Sequence, residues 1–336
     1  MVQSDQRSTG FNEENLPSNK YKKKLCKKNE IQALKNGTLY VSDYDDCKDA
    51  VNTFYSNFKT NHDNLKTNCN KENGPKCCRD VNYYLDRVTG IFKSSLLSDS
   101  DKNRLIKNLE DELESSIRAN DIYTCERQKD LDSTRKRCIL QHLYDLKEDE
   151  HFILSYAEAY KKYLDEKWEK IIRYTNEEST NLFIKIENDS MGIVENYKNF
   201  LYSSDYICGN NLDELSADAI KISTDMDNFI TSISLDKISS NVEKNLCFNK
   251  RYVDMLKYKA STIQRINNAL IIGIALLGVF LTFIFLHELS PLGGFLRRCT
   301  KNKIQVEENM IEVIPKLYEN CENRKPYISY HSTPIK

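Results

Sequence analysis

An uninterrupted apolar segment near the C-terminus constrains this chain more than any other feature. The eighteen residues at 269–286 contain no charge and read ALIIGIALLGVFLTFIFL. A helix of this length is ~27 Å long, which matches the hydrocarbon core of a bilayer. A helix that is apolar on every face is rare in the core of a soluble domain. The segment therefore predicts one transmembrane helix, which the polar residues at its two ends place at 267–288.

Basic residues flank this segment on both sides, so the positive-inside rule alone leaves its orientation open. Four precede it and four follow it: Arg251, Lys257, Lys259 and Arg265, then Arg297, Arg298, Lys301 and Lys303. The second cluster is tighter, and the chain after Leu286 has a net charge of +2, against −3 before it. We therefore expect a large domain outside the cell and a cytoplasmic tail at 289–336. The first residues contain no apolar stretch typical of a cleaved signal, so the internal helix is expected to direct membrane insertion.

Cysteine placement also separates the two sides of the apolar segment. Of 11 cysteines, nine precede the segment, which is typical of a disulfide-bearing domain in an oxidising compartment. Six of the nine cluster around predicted helix ends, and we predict that they form disulfides: Cys47, Cys69, Cys77, Cys78, Cys125 and Cys138. Their density is too low to replace a hydrophobic core. The bridges would staple helices together, and their pairing stays open.

The composition of the chain favours an all-α fold. Only 10 Gly and 6 Pro occur in 336 residues, and 40% of the residues are hydrophobic, so long helices around a sizeable core are expected. We predict an irregular, disulfide-stapled helical bundle at 18–266 behind a flexible N-terminus at 1–17. The lysines at positions 20, 22, 23 and 24 open its first helix, and we interpret them as a solvated helix face.

Apolar periodicity places the individual helices. The clearest predicted helix has an apolar residue at every fourth position and is capped by Ser98 at its start. A broad apolar and aromatic stripe predicts a much longer helix in the middle of the chain, with core packing as its role. The predicted ranges are 47–66, 79–94, 99–119, 131–174, 179–202, 213–237 and, continuing into the membrane, 241–266.

A search for catalytic or metal-binding patterns finds none. The five histidines lack the spacing of zinc ligands, and no Cys-x-x-Cys occurs, so disulfides are favoured over zinc. Gly293 and Gly294 follow the apolar helix and lack the lysine of a phosphate-binding loop. The 49 basic and 50 acidic residues give no positive field for nucleic acid. We therefore expect no enzyme activity, cofactor, metal, nucleic acid or small-molecule substrate.

Three positions are candidates for covalent modification. The triplets Asn36-Gly37-Thr38 and Asn188-Asp189-Ser190 fit the N-glycosylation pattern and would be accessible in the proposed topology. Such triplets also arise by chance in Asn-rich sequences. Cys299 lies close to the membrane beside basic residues, which suits lipidation by palmitate, while an ordinary reduced thiol is an equal alternative.

A juxtamembrane motif gives the chain one specific resemblance. The motif follows the apolar helix and reads Ser290-Pro291-Leu292-Gly293-Gly294-Phe295-Leu296-Arg297-Arg298. It resembles the Thr/Ser-Pro-Leu-Gly-x-aromatic-Leu-Arg-Arg signature of the Plasmodium interspersed repeat (PIR) family. The stretch Leu16-Pro17-Ser18 is similar to the opening of its Vir-type members. Gly294 and Phe295 are a mild departure from the small polar residue and the Trp of that signature, which affects the subgroup and not the family resemblance.

This resemblance implies a function at the surface of infected red cells. Family members are single-pass variant antigens that are exported toward the red-cell membrane, with roles proposed in immune evasion and host-receptor adhesion. The implied partners are the membrane and a host surface protein or antibody, and no catalytic residues come with the family. The alternative hypothesis is a membrane-anchored structural or trafficking adaptor, which would stay on parasite-made internal membranes and act through its cytosolic tail.

Overall fold

The computed structural model describes residues 10–69, 74–118, 125, 127–176, 181–208, 212, 215–235 and 247–288. Helices make up 73% of the structure, which confirms the predicted all-α class. The helices are α1 (Asn19–Leu25), α2 (Lys28–Thr38), α3 (Tyr44–Leu65), α4 (Gly74–Lys93), α5 (Asp99–Arg118), α6 (Leu131–Glu148), α7 (Glu150–Ser155), α8 (Ala157–Thr175), α9 (Tyr197–Tyr202), α10 (Asp227–Ser232) and α11 (Lys250–Glu288). Four short strands are added: β1 (Phe183–Glu187), β2 (Met191–Asn196), β3 (Ile220–Ser223) and β4 (Cys247–Phe248).

The chain divides into two compact units. Among the described residues, the first unit contains those up to 184 and 195–224, and the second contains 185–194 and those from 225 onward. The strands follow the order β3-β1-β2-β4. Only three residues join β1 to its neighbour β2, so the two strands form an antiparallel hairpin. Strand β2 pairs in parallel with β4, with Met191 opposite Cys247 and Gly192 opposite Phe248.

Helix α4 is the central element of the first unit. It packs against α1, α5, α6 and α8, and fourteen of its 20 residues are buried. Its contact with α8 depends on Gly90, because a Cβ at this position would lie 2.5 Å from the Lys170 carbonyl oxygen. The predicted helices at 47–66, 79–94 and 99–119 correspond to α3, α4 and α5, and Ser98 Oγ accepts the Asp101 amide as a cap at 3.2 Å.

The single long helix predicted at 131–174 is wrong, because the chain forms α6, α7 and α8 there. The first break is at Asp149, whose carboxylate accepts the Ser18 amide at 2.9 Å and the Ser18 hydroxyl at 2.6 Å. The Tyr160 hydroxyl donates to the same carboxylate at 3.0 Å. The bonds to Ser18, which is distant in the chain, stabilise the break between α6 and α7, and apolar periodicity cannot reveal them. The predicted core stripe nevertheless persists, since Leu143 and Trp168 are both buried.

The folded unit begins before the predicted boundary at residue 18. Leu16 is fully buried, and the Phe11 ring lies 6.0 Å from the Tyr156 ring and 6.4 Å from the Tyr160 ring. Phe11 and Leu16 therefore pack in the folded unit, although Asn12, Glu14 and Asn15 between them are exposed. Residues 1–9 of the predicted flexible N-terminus lie outside the described residues.

The helices predicted at 179–202 and 213–237 are largely wrong. The β1–β2 hairpin occupies most of the first range, and β3 lies in the second. Among the described residues of the two ranges, α9 and α10 are the α-helices, and Ala217–Ala219 forms a 3-10 turn. Ile184, Ile186 and Ile193 are β-branched and fully buried, which suits strands better than helices. The helix predicted from 241 begins at Lys250, after the strand β4, and residues 241–246 lie outside the described part of the chain.

Candidate functional site

Helix α11 changes its surroundings along its length. Near its start Tyr252, Val253 and Leu256 are buried, whereas Leu270, Leu277 and the other large apolar side chains up to Phe285 are exposed. Its most apolar window of 18 residues has a mean hydropathy of 2.5, and none of that window is buried. The helix is therefore long and apolar enough to cross a membrane, as the sequence predicted.

Asn249 fixes the start of α11 against strand β2. Its Nδ2 donates to the Val194 carbonyl at 2.8 Å, and its Oδ1 accepts the Val194 amide at 3.1 Å. The same Oδ1 accepts the Tyr252 amide at 3.0 Å, which caps the helix. One amide side chain thus continues the pairing of the sheet and begins the apolar helix.

Glu187 on β1 is the second contact between the hairpin and α11. Its Oε1 accepts the Tyr252 hydroxyl at 2.8 Å and the Ser234 amide at 3.1 Å, while its Oε2 accepts Lys185 Nζ at 2.5 Å. Burial opposes ionisation here, but the hydrogen bonds from Lys185 and Tyr252 prevail and lower the pKa of Glu187. The carboxylate is therefore ionised and holds the helix at neutral pH.

Two further contacts complete this arrangement, which we call the clamp (Lys185, Glu187, Gly192, Asn249, Tyr252 and Lys259). Lys259 Nζ donates to the Thr231 carbonyl at 3.0 Å and to the Ile233 carbonyl, both at the end of α10. A Cβ on Gly192 would lie 2.3 Å from the Tyr252 ring and 2.5 Å from the Phe248 ring. Only glycine therefore allows both rings to pack on β2. The sequence analysis did not predict the clamp. The signal that could have indicated it is Asn249, a residue type that often caps helices.

Disulfides lie in the part of the chain that precedes α11. Cys69 bonds to Cys77, and Cys78 bonds to Cys125, so adjacent residues at the start of α4 take part in two different bridges. Four of the six predicted cysteines are thus in disulfides, and the loop before α4 is stapled as predicted. Cys208 and Cys247, which the prediction left out, are also disulfide-bonded.

The predicted bridges at Cys47 and Cys138 do not form. Both residues are buried free thiols, as is Cys26. Cys138 lies in the middle of α6, 2% exposed, and the Cys47 thiol donates to the Tyr44 carbonyl within its own helix at 3.1 Å. Clustering of cysteines along the chain therefore did not predict the state of Cys47 and Cys138, because helices α3 and α6 direct these side chains into the core. Burial raises the pKa of Cys138 and of Cys26, which keeps both thiols protonated and unreactive.

The most enzyme-like group of side chains is buried in the first unit. This charge cluster consists of Lys22 on α1, Asp80 on α4, Asp145 on α6 and Lys167 on α8, each at most 2% exposed. Lys22 Nζ lies 2.7 Å from Asp145 and 3.6 Å from Asp80, and Lys167 also contacts Asp145. Lys22 is therefore a core residue, which contradicts the predicted solvated face, although the lysines at 20, 23 and 24 are exposed.

Ionisation within the cluster follows from burial and charge. Burial would raise the pKa of Asp145, but Lys167 and Lys22 hold it below its usual range. Burial raises the pKa of Asp80 to about 6, against the opposing effect of Lys22. Asp80 accepts one hydrogen bond from Gln141 Nε2 at 3.1 Å, and its Oδ2 has no hydrogen-bond partner among the described residues. Because no substrate can reach side chains this enclosed, the cluster joins four helices and does not form an open site.

The predicted modification positions fall in different surroundings. Thr38 is fully buried and its hydroxyl donates to the Leu34 carbonyl at 2.8 Å. The triplet Asn36-Gly37-Thr38 therefore forms the last turn of α2. Asn188 forms the turn of the hairpin, where its Oδ1 accepts the Ser190 amide at 3.0 Å. The juxtamembrane motif at 290–298 and Cys299 lie outside the described residues.

No metal site is found in the described part of the chain, where no three His, Cys, Asp or Glu residues come together as ligands. Comparisons of the chain with protein-family models, with curated proteins and with solved structures find no match.

Proposed function

We propose that this chain is a single-pass membrane protein that displays a disulfide-stapled helical domain on the non-cytosolic side of a membrane. The observation that carries the proposal is that α11 is held by protein contacts at its start and exposes its most apolar window. Exposing so many large apolar side chains to water is unfavourable, and a bilayer removes that cost.

The orientation rests on the disulfides. Structural disulfides persist in oxidising compartments and are rare in the cytosol. The bridges Cys69–Cys77 and Cys78–Cys125 precede α11, and the charge balance places the more basic segment after it. Both features favour a domain outside the cytosol and a tail inside it.

The finer proposal is a PIR variant antigen of the Vir type on infected red cells. The juxtamembrane motif supports it, and so does a scaffold whose bridges and buried charges tolerate change in exposed loops. The domain would act by binding, in immune evasion and adhesion to host receptors, and not by catalysis. The charge cluster contains the polar residues that most resemble catalytic groups, and its burial supports a structural role for them.

Protease treatment of intact infected cells tests this proposal. After the treatment, one antibody detects residues 100–250 and a second detects residues 307–336, with permeabilised cells as the control for digestibility. We expect the large domain to be cleaved while the tail stays protected. Protection of both regions in intact cells would contradict surface display and favour the adaptor on internal membranes.

A further inference from the structure

The turn between β1 and β2 consists entirely of an N-x-S/T triplet. Asn188, Asp189 and Ser190 are the three residues between the two strands, so the triplet is the tip of the hairpin. The Asn188 amide donates to the Met191 carbonyl at 2.9 Å and closes the turn. Asp189 is exposed, and the residues on either side of it are partly exposed. A surface turn is the setting in which such triplets accept a glycan.

The two polar atoms of the Asn188 side chain have different roles in this turn. Its Oδ1 accepts the Ser190 amide at 3.0 Å and the Ser190 hydroxyl at 3.3 Å. Its Nδ2 donates no hydrogen bond to the described residues, and it reaches solvent. A substituent on Nδ2 therefore leaves the hydrogen bonds that shape the turn in place.

The other triplet of the chain, at 36–38, differs at the hydroxyl that the acceptor pattern requires. Its Thr38 is fully buried, and the hydroxyl is bonded to a carbonyl of its own helix. The Ser190 side chain is partly exposed, and its hydroxyl contacts the acceptor side chain itself. The folded chain thus presents an amide and a hydroxyl together at 188–190 and not at 36–38.

We propose that Asn188 is an N-glycosylation site that carries an oligosaccharide on Nδ2. The proposal rests on the orientation proposed above, because N-linked glycans are transferred on the non-cytosolic side of a membrane. The donor is a lipid-linked oligosaccharide. Asn188 Nδ2 gives one proton to a base of the transferase and attacks C1 of the first sugar. The Nδ2–C1 bond forms while the bond from C1 to the pyrophosphate oxygen breaks, and the lipid pyrophosphate leaves with the electron pair.

Translation of the full-length chain in sealed microsomes tests the site. An Asn36→Gln background leaves 188–190 as the one N-x-S/T triplet of the sequence. Denaturing electrophoresis with and without peptide N-glycosidase measures the glycan. We expect a mobility shift of one glycan that the glycosidase removes and that Asn188→Gln abolishes. A chain without a glycosidase-sensitive shift, or a shift that persists in Asn188→Gln, would overturn the proposal.

Position 190 supplies a matched pair of variants that keep Asn188. Ser190→Ala removes the hydroxyl that the acceptor pattern requires, whereas Ser190→Thr retains a hydroxyl. Ser190→Ala is expected to lower the glycosylated fraction at least several-fold, and Ser190→Thr is expected to maintain it. Equal glycosylated fractions in the two variants would contradict recognition of this triplet.

A new acceptor elsewhere in the domain separates the modification from the orientation. Tyr40→Asn converts Tyr40-Val41-Ser42 into an N-x-S triplet in the turn after α2, where Tyr40 is 77% exposed. A glycan at position 40 without one at Asn188 would overturn the proposed site alone. A glycan at neither position, in a domain that protease digests from outside the sealed microsomes, would overturn the orientation and the modification together.

Discussion

Helices α4 and α11 have opposite relations to solvent. Helix α4 contains Asp80, Asn82, Asp86 and Thr89, all of which are buried by other helices of the first unit. Helix α11 contains the most apolar segment of the chain, and none of that segment is buried. The polar side chains of α4 are buried, and the apolar segment of α11 is exposed.

This difference indicates that the two helices are stabilised by different surroundings. The polar groups of α4 are tolerated in the core because side chains from α1 and α6 contact them, as Lys22 and Gln141 do at Asp80. The most apolar window of α11 is not buried by protein, and a bilayer would surround it. The same argument assigns the first helix to the folded domain and the second to the membrane.

The largest effect is expected from removing the central carboxylate of the charge cluster. Asp145→Ala leaves the buried lysines Lys22 and Lys167 without their shared partner, which costs about 3–5 kcal/mol in the free energy of unfolding. Chemical denaturation of the purified chain measures this change. The control is Asp165→Ala on the exposed face of α8, for which a change within about 0.5 kcal/mol is expected. Similar losses for both variants would show that α4 does not depend on the cluster.

A charge in the apolar segment of α11 tests whether this segment lies in a bilayer. Val279→Arg places a cation near the centre of the segment, which costs about 2.5–3.5 kcal/mol for membrane insertion. We expect a clear rise in the fraction of chain that alkali extracts from membranes. Leu154→Arg changes an exposed residue of α7, 55% exposed, and is expected to leave extraction unchanged. If Val279→Arg also leaves extraction unchanged, α11 does not lie in the bilayer.

The clamp is the place where α11 changes from buried to exposed, and Gly192 tests it. Gly192→Ala forces a methyl group against Tyr252 and Phe248, and such overpacking costs about 1–3 kcal/mol. Hydrogen exchange at the first turns of α11 is expected to accelerate, because those turns lose their support on β2. Gly278→Ala, with no neighbours in the chain, is the control and is expected to leave this exchange unchanged. Unchanged protection in Gly192→Ala would mean that the clamp does not hold the helix.

The smallest effect concerns the pH dependence of the core of α4. The pKa of Asp80 is raised to about 6 in the folded chain, so between pH 4 and pH 6 the folded state binds more protons than the unfolded state. The contribution of Asp80 to stability therefore increases as the pH falls from 7 to 5, by about 1 kcal/mol. Comparing the unfolding free energy of the natural chain and of Asp80→Asn at both pH values isolates this contribution. An identical pH dependence in the two proteins would contradict the raised pKa.

Sequence reasoning succeeded where one property of a segment decides the outcome. Uniform apolarity was enough to locate the exposed part of α11, and a capped four-residue repeat was enough to locate α5. The stapled loop before α4 followed from the clustering of Cys69, Cys77 and Cys78.

It failed where contacts between distant residues decide the outcome. The break at Asp149 depends on Ser18, which lies far away in the chain, and the burial of Lys22 depends on Asp80 and Asp145. The clamp was missed because three of its members, Lys185, Glu187 and Gly192, lie on a hairpin in a range that the sequence predicted as helix. The turn residues Asn188-Asp189-Ser190 between two β-branched runs were the available signal for that hairpin.

Protease protection in sealed microsomes shows on which side of the membrane α11 leaves the helical domain. The full-length chain is inserted during translation and then exposed to protease from the cytosolic side, with and without detergent. We expect the fragment up to Glu288 to be protected, with its Cys78–Cys125 bridge intact, and only the 48 residues at 289–336 to be removed. Digestion of the helical domain without detergent, with or without the tail, would contradict a displayed domain carried on a membrane-spanning α11.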